Sequence, residues 1–149
     1  MSFRPMHPAG APNGAQRLVV ALDRDGPSCV WCSRPFPDLV RPTREHVIPR
    51  VKGGPSIPEN EVAACARCNR ERGHASPVQW LDEVRARGRE PRPEIIEASL
   101  RRLATYTEVR GGLRRIRGYL RTELRKLDRA QRGPAEGAAS TGSPEPDPL

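Results

Sequence analysis

The chain has few aromatic residues, almost no lysine and no long apolar run. Phe, Trp and Tyr make up 4 % of the sequence, and Val, Leu, Ile and Phe together supply only 28 of its 149 residues. This share, about 19 %, is near the range of disordered chains with high net charge. The length is enough for one domain of ordinary size, so we expect its core to need support beyond apolar packing. No stretch approaches 18 consecutive apolar residues, which excludes a membrane span and a membrane partner.

The N-terminus lacks the apolar segment of a secretory signal peptide, which favours a cytoplasmic protein. Residues 1–16 are rich in Pro, Gly and Ala without periodicity, and they predict a disordered arm. Residues 133–149 have the same character with three acidic and no basic residues, and they predict a disordered acidic tail. The folded part is therefore expected within residues 17–132.

Basic charge is concentrated near the end of this predicted folded part. The formal net charge is +8, with 24 Arg against 2 Lys, and residues 101–132 contain 11 basic and 3 acidic residues. The planar guanidinium matches phosphate bidentately, so one interpretation is a polyanionic partner. A GC-rich coding sequence is the other explanation for the preference for Arg over Lys.

Apolar periodicity predicts helices in the second half of the chain. The capping box at residues 76–79 starts one helix, and a second is predicted over 93–106. A third is predicted over 107–132 with Thr107 as its N-cap, although the pair Gly111-Gly112 costs about 1 kcal/mol per glycine and is compatible with a break. Its apolar residues recur at steps of three and four: Leu113, Ile116, Leu120, Leu124 and Leu127. This near-heptad spacing also allows a helix-pair homodimer.

The first half of the chain predicts short elements joined by turns. Residues 43–48 lie between two prolines and predict a strand. Residues 49–60 contain two glycines and two further prolines and predict a loop. The short apolar run over 18–22 predicts either a strand or a turn of helix.

The four cysteines form two CxxC pairs separated by 32 residues: Cys29, Cys32, Cys65 and Cys68. Two such pairs supply the four thiolates of a closed tetrahedral zinc site. A zinc ion would add the folding free energy that the small apolar core lacks. Two disulfides, which need an oxidising compartment, and a redox-active pair remain as alternatives.

Polar residues suited to phosphodiester chemistry lie between and beside the cysteine pairs. Glu45 and Asn69 offer oxygen ligands for a hard divalent cation, Mg²⁺ or Mn²⁺. His46 has the side chain whose ordinary pKa best suits a general base near neutral pH. We expect the zinc site to bring these three residues together, since it would tie the strand over 43–48 to the segment around Asn69. A cation beside a histidine in an arginine-rich domain fits hydrolysis of a phosphodiester.

Several features follow one another in a distinctive order along the chain. They are Arg24-Asp25-Gly26, the first CxxC pair, Glu45-His46-Val47-Ile48-Pro49-Arg50, Gly53-Gly54, Asn60 at 14 residues after the histidine, and Cys65-x2-Cys68-Asn69. This order resembles the HNH endonuclease family in its zinc-bearing variety, over residues 22–80. The resemblance implies an α+β fold with a small zinc-stabilised ββα-metal core over 17–90. It leaves residues 91–132 as a basic helical extension between the core and the disordered tail.

The resemblance also implies roles for individual residues. His46 would take a proton from the attacking water, and Glu45 and Asn69 would bind the catalytic cation. Asn60 would hold the loop and orient His46 by hydrogen bonds. The products would carry a 5′-phosphate and a 3′-hydroxyl.

Glu45 and His46 are adjacent on the predicted strand, so their side chains point to opposite faces. They can act on one phosphate only if the strand ends, twists or bulges at that point. Position 45 is Glu where the family often has Asp, and position 72 is Arg where the family often has Lys. We expect nucleic-acid contacts, to double-stranded DNA above all, from these basic residues: Arg44, Arg50, Lys52, Arg70, Arg72, Arg114, Arg117 and Arg121.

Three functions are compatible with these features. The first is a metal-dependent DNA endonuclease of the HNH type. The second is a non-catalytic zinc module that binds nucleic acid through its arginine-rich helices. The third is a nuclease subunit that cleaves only with a larger partner protein.

Overall fold

Five helices and one two-stranded antiparallel sheet make up the described part of the chain. The computed structural model describes residues 10–37 and 40–133. In chain order the elements are α1 (Gly14–Asp25), β1 (Pro42–His46), β2 (Glu61–Cys65), α2 (Ala66–Arg72), α3 (Pro77–Ala86), α4 (Pro93–Arg110) and α5 (Arg114–Arg132). The β1–β2–α2 unit confirms the predicted α+β class with a small ββα core.

Helix α1 begins at a capping box, within the segment that its composition predicted to be disordered. The Asn13 side chain accepts a hydrogen bond from the Gln16 N–H at 2.9 Å, and the Gln16 side chain accepts one from the Asn13 N–H at 2.8 Å. Residues 14–16 are therefore helical and do not belong to the predicted disordered arm. The apolar run over 18–22 is the middle of this helix, not a strand. The rest of the predicted arm through residue 9, and the tail from residue 134, lie outside the described residues.

The two strands form a hairpin whose register places opposite residues on the same face. His46 pairs with Glu61, and Glu45 pairs with Val62. Since side chains alternate along a strand, His46 and Glu61 lie on one face and Glu45 lies on the other. Helix α1 packs against the first face, where Arg17 meets Glu61, and α2 packs against the second.

In the loop between the strands, the backbone of Gly54 passes close to the carbonyl group of Ile48. A Cβ atom at Gly54 would lie 1.8 Å from the carbonyl oxygen of Ile48, so only glycine fits there. Single 3₁₀ turns over Arg50–Lys52 and Pro58–Asn60 lie within this predicted loop.

Helices α3, α4 and α5 follow the hairpin, and their boundaries correct one prediction. The Ser76 side chain caps α3 as expected. Thr107 is not an N-cap, because α4 continues through it to Arg110. The chain breaks at Gly111 and Gly112, which have φ of 68° and 75°, and α5 begins after them. Left-handed dihedrals at two successive residues explain why glycine occupies both positions.

The apolar stripe of α5 packs inside the chain. Ile116, Leu120 and Leu127 are buried, as are Ile96 and Leu100 of α4. Three of the five residues whose spacing also allows a helix-pair dimer are therefore buried within the chain, and Leu113 and Leu124 are half-buried against the same core. None of the described helices combines the length and apolar character needed to cross a membrane.

Candidate functional site

The four cysteines converge on one point, as their spacing predicted. Their sulfur atoms all lie within 4.8 Å of one another, and the sulfurs of Cys32 and Cys65 are 3.9 Å apart. A disulfide has an S–S distance of about 2.05 Å, so these four residues are thiols in this structure. Tetrahedral zinc with Zn–S bonds of about 2.3 Å requires sulfur pairs roughly 3.8 Å apart. The cluster could therefore hold a zinc ion.

Two arginines that the sequence did not single out donate hydrogen bonds to the cluster. Arg34 donates from Nη2 to the Cys65 sulfur at 3.1 Å and from Nε to the Cys32 sulfur at 3.4 Å. Arg89 donates to the Cys68 sulfur at 3.5 Å. The hydrogen bonds to the two sulfurs raise the pKa of Arg34 above its ordinary value. Two guanidinium groups beside four sulfurs offset the negative charge of a tetrathiolate site.

Glu45 is held on the α2 face of the hairpin by two side chains. Its Oε1 accepts a hydrogen bond from Arg72 Nη1 at 2.8 Å, and its Oε2 accepts one from the Trp31 indole at 3.3 Å. Only 5 % of the residue is exposed. Burial raises the pKa of Glu45 to about 7 even though Arg72 lowers it. Each oxygen keeps a second acceptor site, so the carboxylate can still contribute to a cation site.

The side chain of Arg72 is fully buried and does not face solvent. It donates to the backbone carbonyls of His46 at 2.7 Å, Val47 at 2.6 Å and Ala75 at 3.1 Å, in addition to Glu45. Its guanidinium stacks 5.1 Å from the centre of the Trp31 ring. The phosphate contact expected of Arg72 is therefore incompatible with its surroundings. Its N–H groups already donate one hydrogen bond to the Glu45 carboxylate and three to backbone carbonyls inside the protein.

His46 is the last residue of β1, and its side chain lies on the opposite face of the hairpin, against which α1 packs. Its Nε2 lies 2.9 Å from the Ser56 hydroxyl and 3.3 Å from Oε1 of Glu61. Burial lowers the pKa of His46 below its ordinary value, and this outweighs the opposite effect of the Glu61 carboxylate. The ring is thus neutral near pH 7, which is the state in which imidazole can accept a proton.

Asn60 closes the loop that follows His46. Its side chain accepts a hydrogen bond from the Ile48 N–H at 2.9 Å and donates to the Ile48 and Pro55 carbonyls at 3.1 and 2.9 Å. Its own backbone carbonyl accepts a hydrogen bond from the Val47 N–H at 2.8 Å. Among the described residues, Asn60 makes no hydrogen bond to the His46 ring, so the orienting hydrogen bond expected from the sequence is not seen and Asn60 holds the loop instead.

Asn69 lies on α2 with its amide turned back towards β1. The Nδ2 atom donates to the Thr43 hydroxyl and to the Arg44 carbonyl, both at 3.0 Å. Use of the amide nitrogen in these two bonds fixes which end of the side chain is the oxygen. The Oδ1 atom is then free to serve as a ligand.

A cavity of about 160 Å³ at the end of β1 brings the three polar residues to one place. Its wall includes Glu45, His46 and Asn69. The side chains of Glu45 and His46 leave opposite faces of β1, and both residues border this cavity because it lies at the end of the strand. One carboxylate and one amide oxygen suit Mg²⁺, which keeps several water ligands and binds substrate phosphate as well.

The remaining wall of this cavity consists of Pro49, Arg50, Gly73 and His74. Arg50 and His74 line it, and both are exposed. Three further basic residues expected to contact nucleic acid, Arg44, Lys52 and Arg70, are also exposed. The expected residues of α5, namely Arg114, Arg117 and Arg121, are exposed on the helix that follows the core.

Glu61 is the residue beside the candidate base that the sequence analysis missed. It has no exposed surface, although it has a carboxyl side chain and precedes four small or apolar residues of β2. One signal was present: an acidic residue at the start of an otherwise apolar strand indicates a buried partner. The identity of that partner, Arg17, depends on how α1 docks.

Comparisons with known proteins support the resemblance. The family model described as HNH endonuclease matches residues 29–83, which include both cysteine pairs, the whole hairpin and α2. Comparison with curated proteins and with solved structures finds no match. Helices α4 and α5 lie outside the matched segment, as does α1. Over residues 29–83, somewhat more than a third of its length, this chain is similar to the HNH endonuclease family.

Proposed function

We propose that the chain is a metal-dependent endonuclease that hydrolyses phosphodiester bonds in double-stranded DNA. The observation that carries the proposal is the shared cavity of Glu45, His46 and Asn69 inside the matched HNH segment. In this proposal His46 accepts a proton from the attacking water. Asn60 keeps the loop closed beneath the ring, and Arg72 holds the Glu45 carboxylate in place.

Glu45 and Asn69 would hold the catalytic Mg²⁺ or Mn²⁺, and the cysteine cluster would hold zinc away from the reaction. The divalent cation supplies stabilisation of charge on the scissile phosphate and the leaving oxygen. Four sulfur ligands complete a tetrahedral zinc shell, so the zinc site offers no open position for substrate. The two metals therefore have separate roles, one in chemistry and one in folding.

The DNA part of the proposal depends on α5. Six of the seven exposed arginines of this helix recur every three or four residues, and we call them the arginine stripe: Arg114, Arg117, Arg121, Arg125, Arg129 and Arg132. Within the described ranges, none of the six lies within ion-pair distance of a carboxylate. Nineteen helical residues extend about 28 Å, close to eight base pairs of duplex at about 3.4 Å each.

Helix α5 also lies beside the candidate site. A Cβ atom at Gly53 would be 3.3 Å from Ile116, so the loop after β1 packs on the start of α5. A second cavity, about 480 Å³ in volume, is lined by His74 on one side and by Thr122 on the other. The α5 residues that line this second cavity, among them Gly118, Thr122 and Lys126, are not those of the arginine stripe, whose Arg117 and Arg121 line a separate cavity beside α4.

A plasmid-nicking assay tests the catalytic proposal. The wild-type chain, loaded with zinc, is expected to nick supercoiled plasmid when Mg²⁺ or Mn²⁺ is added and not in its absence. His46→Ala should lose nicking while keeping bound zinc and DNA affinity. His7→Ala is the matched control, because it removes a histidine outside the matched segment, and it should nick like the wild type. Nicking by His46→Ala at the wild-type rate would overturn the proposal.

One observation favours a second candidate, a non-catalytic zinc module that binds nucleic acid. Both oxygens of Glu45 already accept hydrogen bonds from Arg72 and Trp31. If these bonds exclude the cation, the arginine stripe would still bind DNA but no strand would be cut. The same assay separates the two candidates, since this one requires DNA binding by the wild type without nicking in either metal.

A further inference from the structure

The second cavity, about 480 Å³ in volume, has both lysines of the chain in its wall, and we call it the lysine cavity. Lys52 comes from the loop after β1, and Lys126 comes from α5. His74, in the turn between α2 and α3, lines the lysine cavity and also the cavity at the end of β1. Because the two cavities share a wall residue, they are neighbours.

Two contacts fix the walls of the lysine cavity. The loop that carries Lys52 packs on the start of α5, since a Cβ atom at Gly53 would be 3.3 Å from Ile116. The buried Glu123 of α5 accepts a hydrogen bond from the Val78 N–H, in the first turn of α3, at 3.1 Å. Helix α5 is therefore held both by the loop and by α3, and the cavity between them exists before any ligand binds. A preformed cavity reduces the entropy lost on binding.

The charged groups of the lysine cavity favour an anion. Glu123 is the single acidic residue among those that line it, and both of its oxygens already accept hydrogen bonds, from Lys126 Nζ at 2.9 Å and from the Val78 N–H. The ammonium group of Lys126 has two further donors. Within the described part of the chain, Lys52 has no carboxylate within ion-pair distance. Its positive charge is therefore available to a ligand.

Neutral donors and free space complete the wall. The Ser76 oxygen accepts a hydrogen bond from the Gln79 N–H, which leaves its hydroxyl hydrogen to be donated. Gly118, Thr122 and Lys126 follow one another at steps of four residues, so they share one face of α5. A Cβ atom at Gly118 would meet nothing within 4 Å, so the helix surface is open at this point.

An ammonium group is a compact point charge with three donors, which suits a phosphate group. The chain uses arginine almost everywhere else for positive charge, with 24 Arg against 2 Lys. We infer that the lysine cavity is a subsite for a second phosphate of the substrate strand, bound by Lys52 and Lys126 while the scissile phosphate lies at the end of β1. The role in cleavage rests on the proposed function, whereas binding of a phosphate group does not. Since Lys126 lies outside residues 29–83, this subsite is an addition to the matched segment.

The ¹H–¹³C signals of the lysine ε-methylene groups test phosphate binding in the full zinc-loaded chain. Labelled lysine gives only two such signals, one for each residue. Inorganic phosphate at constant pH and ionic strength should shift both signals with a single dissociation constant, and chloride should shift neither. Shifts of the same size in chloride would overturn the inference.

A carboxylate added to the cavity wall gives a variant that keeps both lysine signals. Thr122→Glu changes an exposed helical position, where Glu is a better helix former than Thr, so the fold is preserved. It should weaken phosphate binding about tenfold or more, because like charges in one site repel. Ala130→Glu makes the same change of charge at an exposed position of α5 outside this cavity, and its phosphate affinity should stay within about twofold of the wild type. Equal phosphate affinity in Thr122→Glu and the wild type would overturn the inference.

Steady-state nicking of DNA distinguishes a strand phosphate from a free one. The double variant Lys52→Gln/Thr122→Glu should raise KM about tenfold with little change in kcat, since it removes binding that substrate and transition state share. The double variant Arg85→Gln/Ala130→Glu has the same change of charge outside the lysine cavity and should keep the wild-type KM. An unchanged KM in the first double would overturn the assignment to the substrate strand and leave free phosphate as the ligand.

Fluorescence anisotropy with a short labelled duplex separates this inference from the proposed function. The affinity of Lys52→Gln/Thr122→Glu for the duplex should fall about tenfold relative to the control double, whether or not the wild type nicks DNA. A wild-type chain that shows this difference but never nicks would contradict the proposed function and support the subsite. Equal affinities of the two doubles, in a wild type that nicks, would overturn the subsite and leave the nuclease proposal standing.

Discussion

Arg72 holds Glu45 through a hydrogen bond of 2.8 Å between Nη1 and Oε1, with almost no exposed surface on either side chain. The same guanidinium donates to the carbonyls of His46 and Val47. One arginine of α2 therefore fixes both the carboxylate and the backbone at the end of β1. The position of Glu45 in the cavity depends on this arginine.

Arg72→Met is expected to lower the free energy of unfolding by about 3–5 kcal/mol, since it leaves a buried carboxylate without its partner. Urea unfolding at a fixed excess of zinc measures the effect. Arg70→Met, an exposed neighbour on the same helix, should change the free energy by no more than about 0.5 kcal/mol. Equal losses for the two variants would show that Arg72 is not a special support.

Removal of the metal from the cysteine cluster is expected to unfold the core, because the binding free energy of such a site is part of the folding free energy. Elemental analysis should find one zinc per chain. Chelation should abolish the far-UV circular dichroism signal of folded helix, and added zinc should restore it. A native chain without zinc, or with Cys29 and Cys32 joined in a disulfide, would contradict this expectation.

Arg34→Gln is expected to weaken zinc binding, since it removes two hydrogen bonds to the Cys32 and Cys65 sulfurs. Loss of such outer contacts lowers metal affinity by about 10- to 100-fold. Competition with a chromogenic chelator measures the affinity. Arg85→Gln removes an exposed arginine paired only with Asp82 and should leave the affinity unchanged. A wild-type affinity in Arg34→Gln would mean that the two bonds do not stabilise the thiolates.

The arginine stripe is expected to set the salt dependence of DNA binding. The double variant Arg121→Gln/Arg125→Gln should make the slope of log K against log salt less negative by about 2, because each phosphate contact contributes about 0.9. The double variant Arg85→Gln/Arg101→Gln has the same charge but changes arginines that have carboxylate partners. Its slope should match the wild type. Identical slopes for both doubles would remove α5 from the DNA interface, and a preference for double-stranded RNA would correct the substrate.

Two glycine-to-alanine changes are expected to have opposite effects on stability. Gly54→Ala forces a Cβ atom to within 1.8 Å of the Ile48 carbonyl and should destabilise the chain by about 3 kcal/mol. Gly118→Ala, inside α5, meets nothing within 4 Å and should stabilise the chain by up to about 1 kcal/mol. Thermal unfolding of the two zinc-loaded variants makes the comparison. A stable Gly54→Ala variant would contradict the close approach seen in the loop.

Local patterns were enough to predict the elements that carry the site. The CxxC spacing predicted the sulfur cluster, and the strand period predicted that Glu45 and His46 point to opposite faces. The glycine pair Gly111-Gly112 is compatible with a helix break, and the structure has a break there. Thr107 has a side chain that favours an N-cap position, but it lies inside α4. In the structure its hydroxyl donates to the Ala104 carbonyl inside α4.

Such local patterns do not predict contacts between segments that are distant in the sequence. Arg72 and Arg70 look alike in the sequence, and only the packing of α2 on the hairpin decides that the first is buried and the second exposed. The pairing of Glu61 with Arg17 joins residues 44 positions apart. It follows from the register of β2 and the docking of α1 together, and neither can be read from local spacing.

Because side chains alternate along β1, the neighbouring residues Glu45 and His46 contact groups that are held by different helices. Glu45 is adjusted from α2 through Arg72, and His46 is adjusted from α1 through Glu61. Substitutions on the α1 side therefore reach the surroundings of the His46 ring, and substitutions on the α2 side reach the Glu45 carboxylate. Because Arg72 also donates to the His46 carbonyl, the two sides meet at the backbone of β1, and substitutions on α1 and α2 are expected to be coupled and not additive.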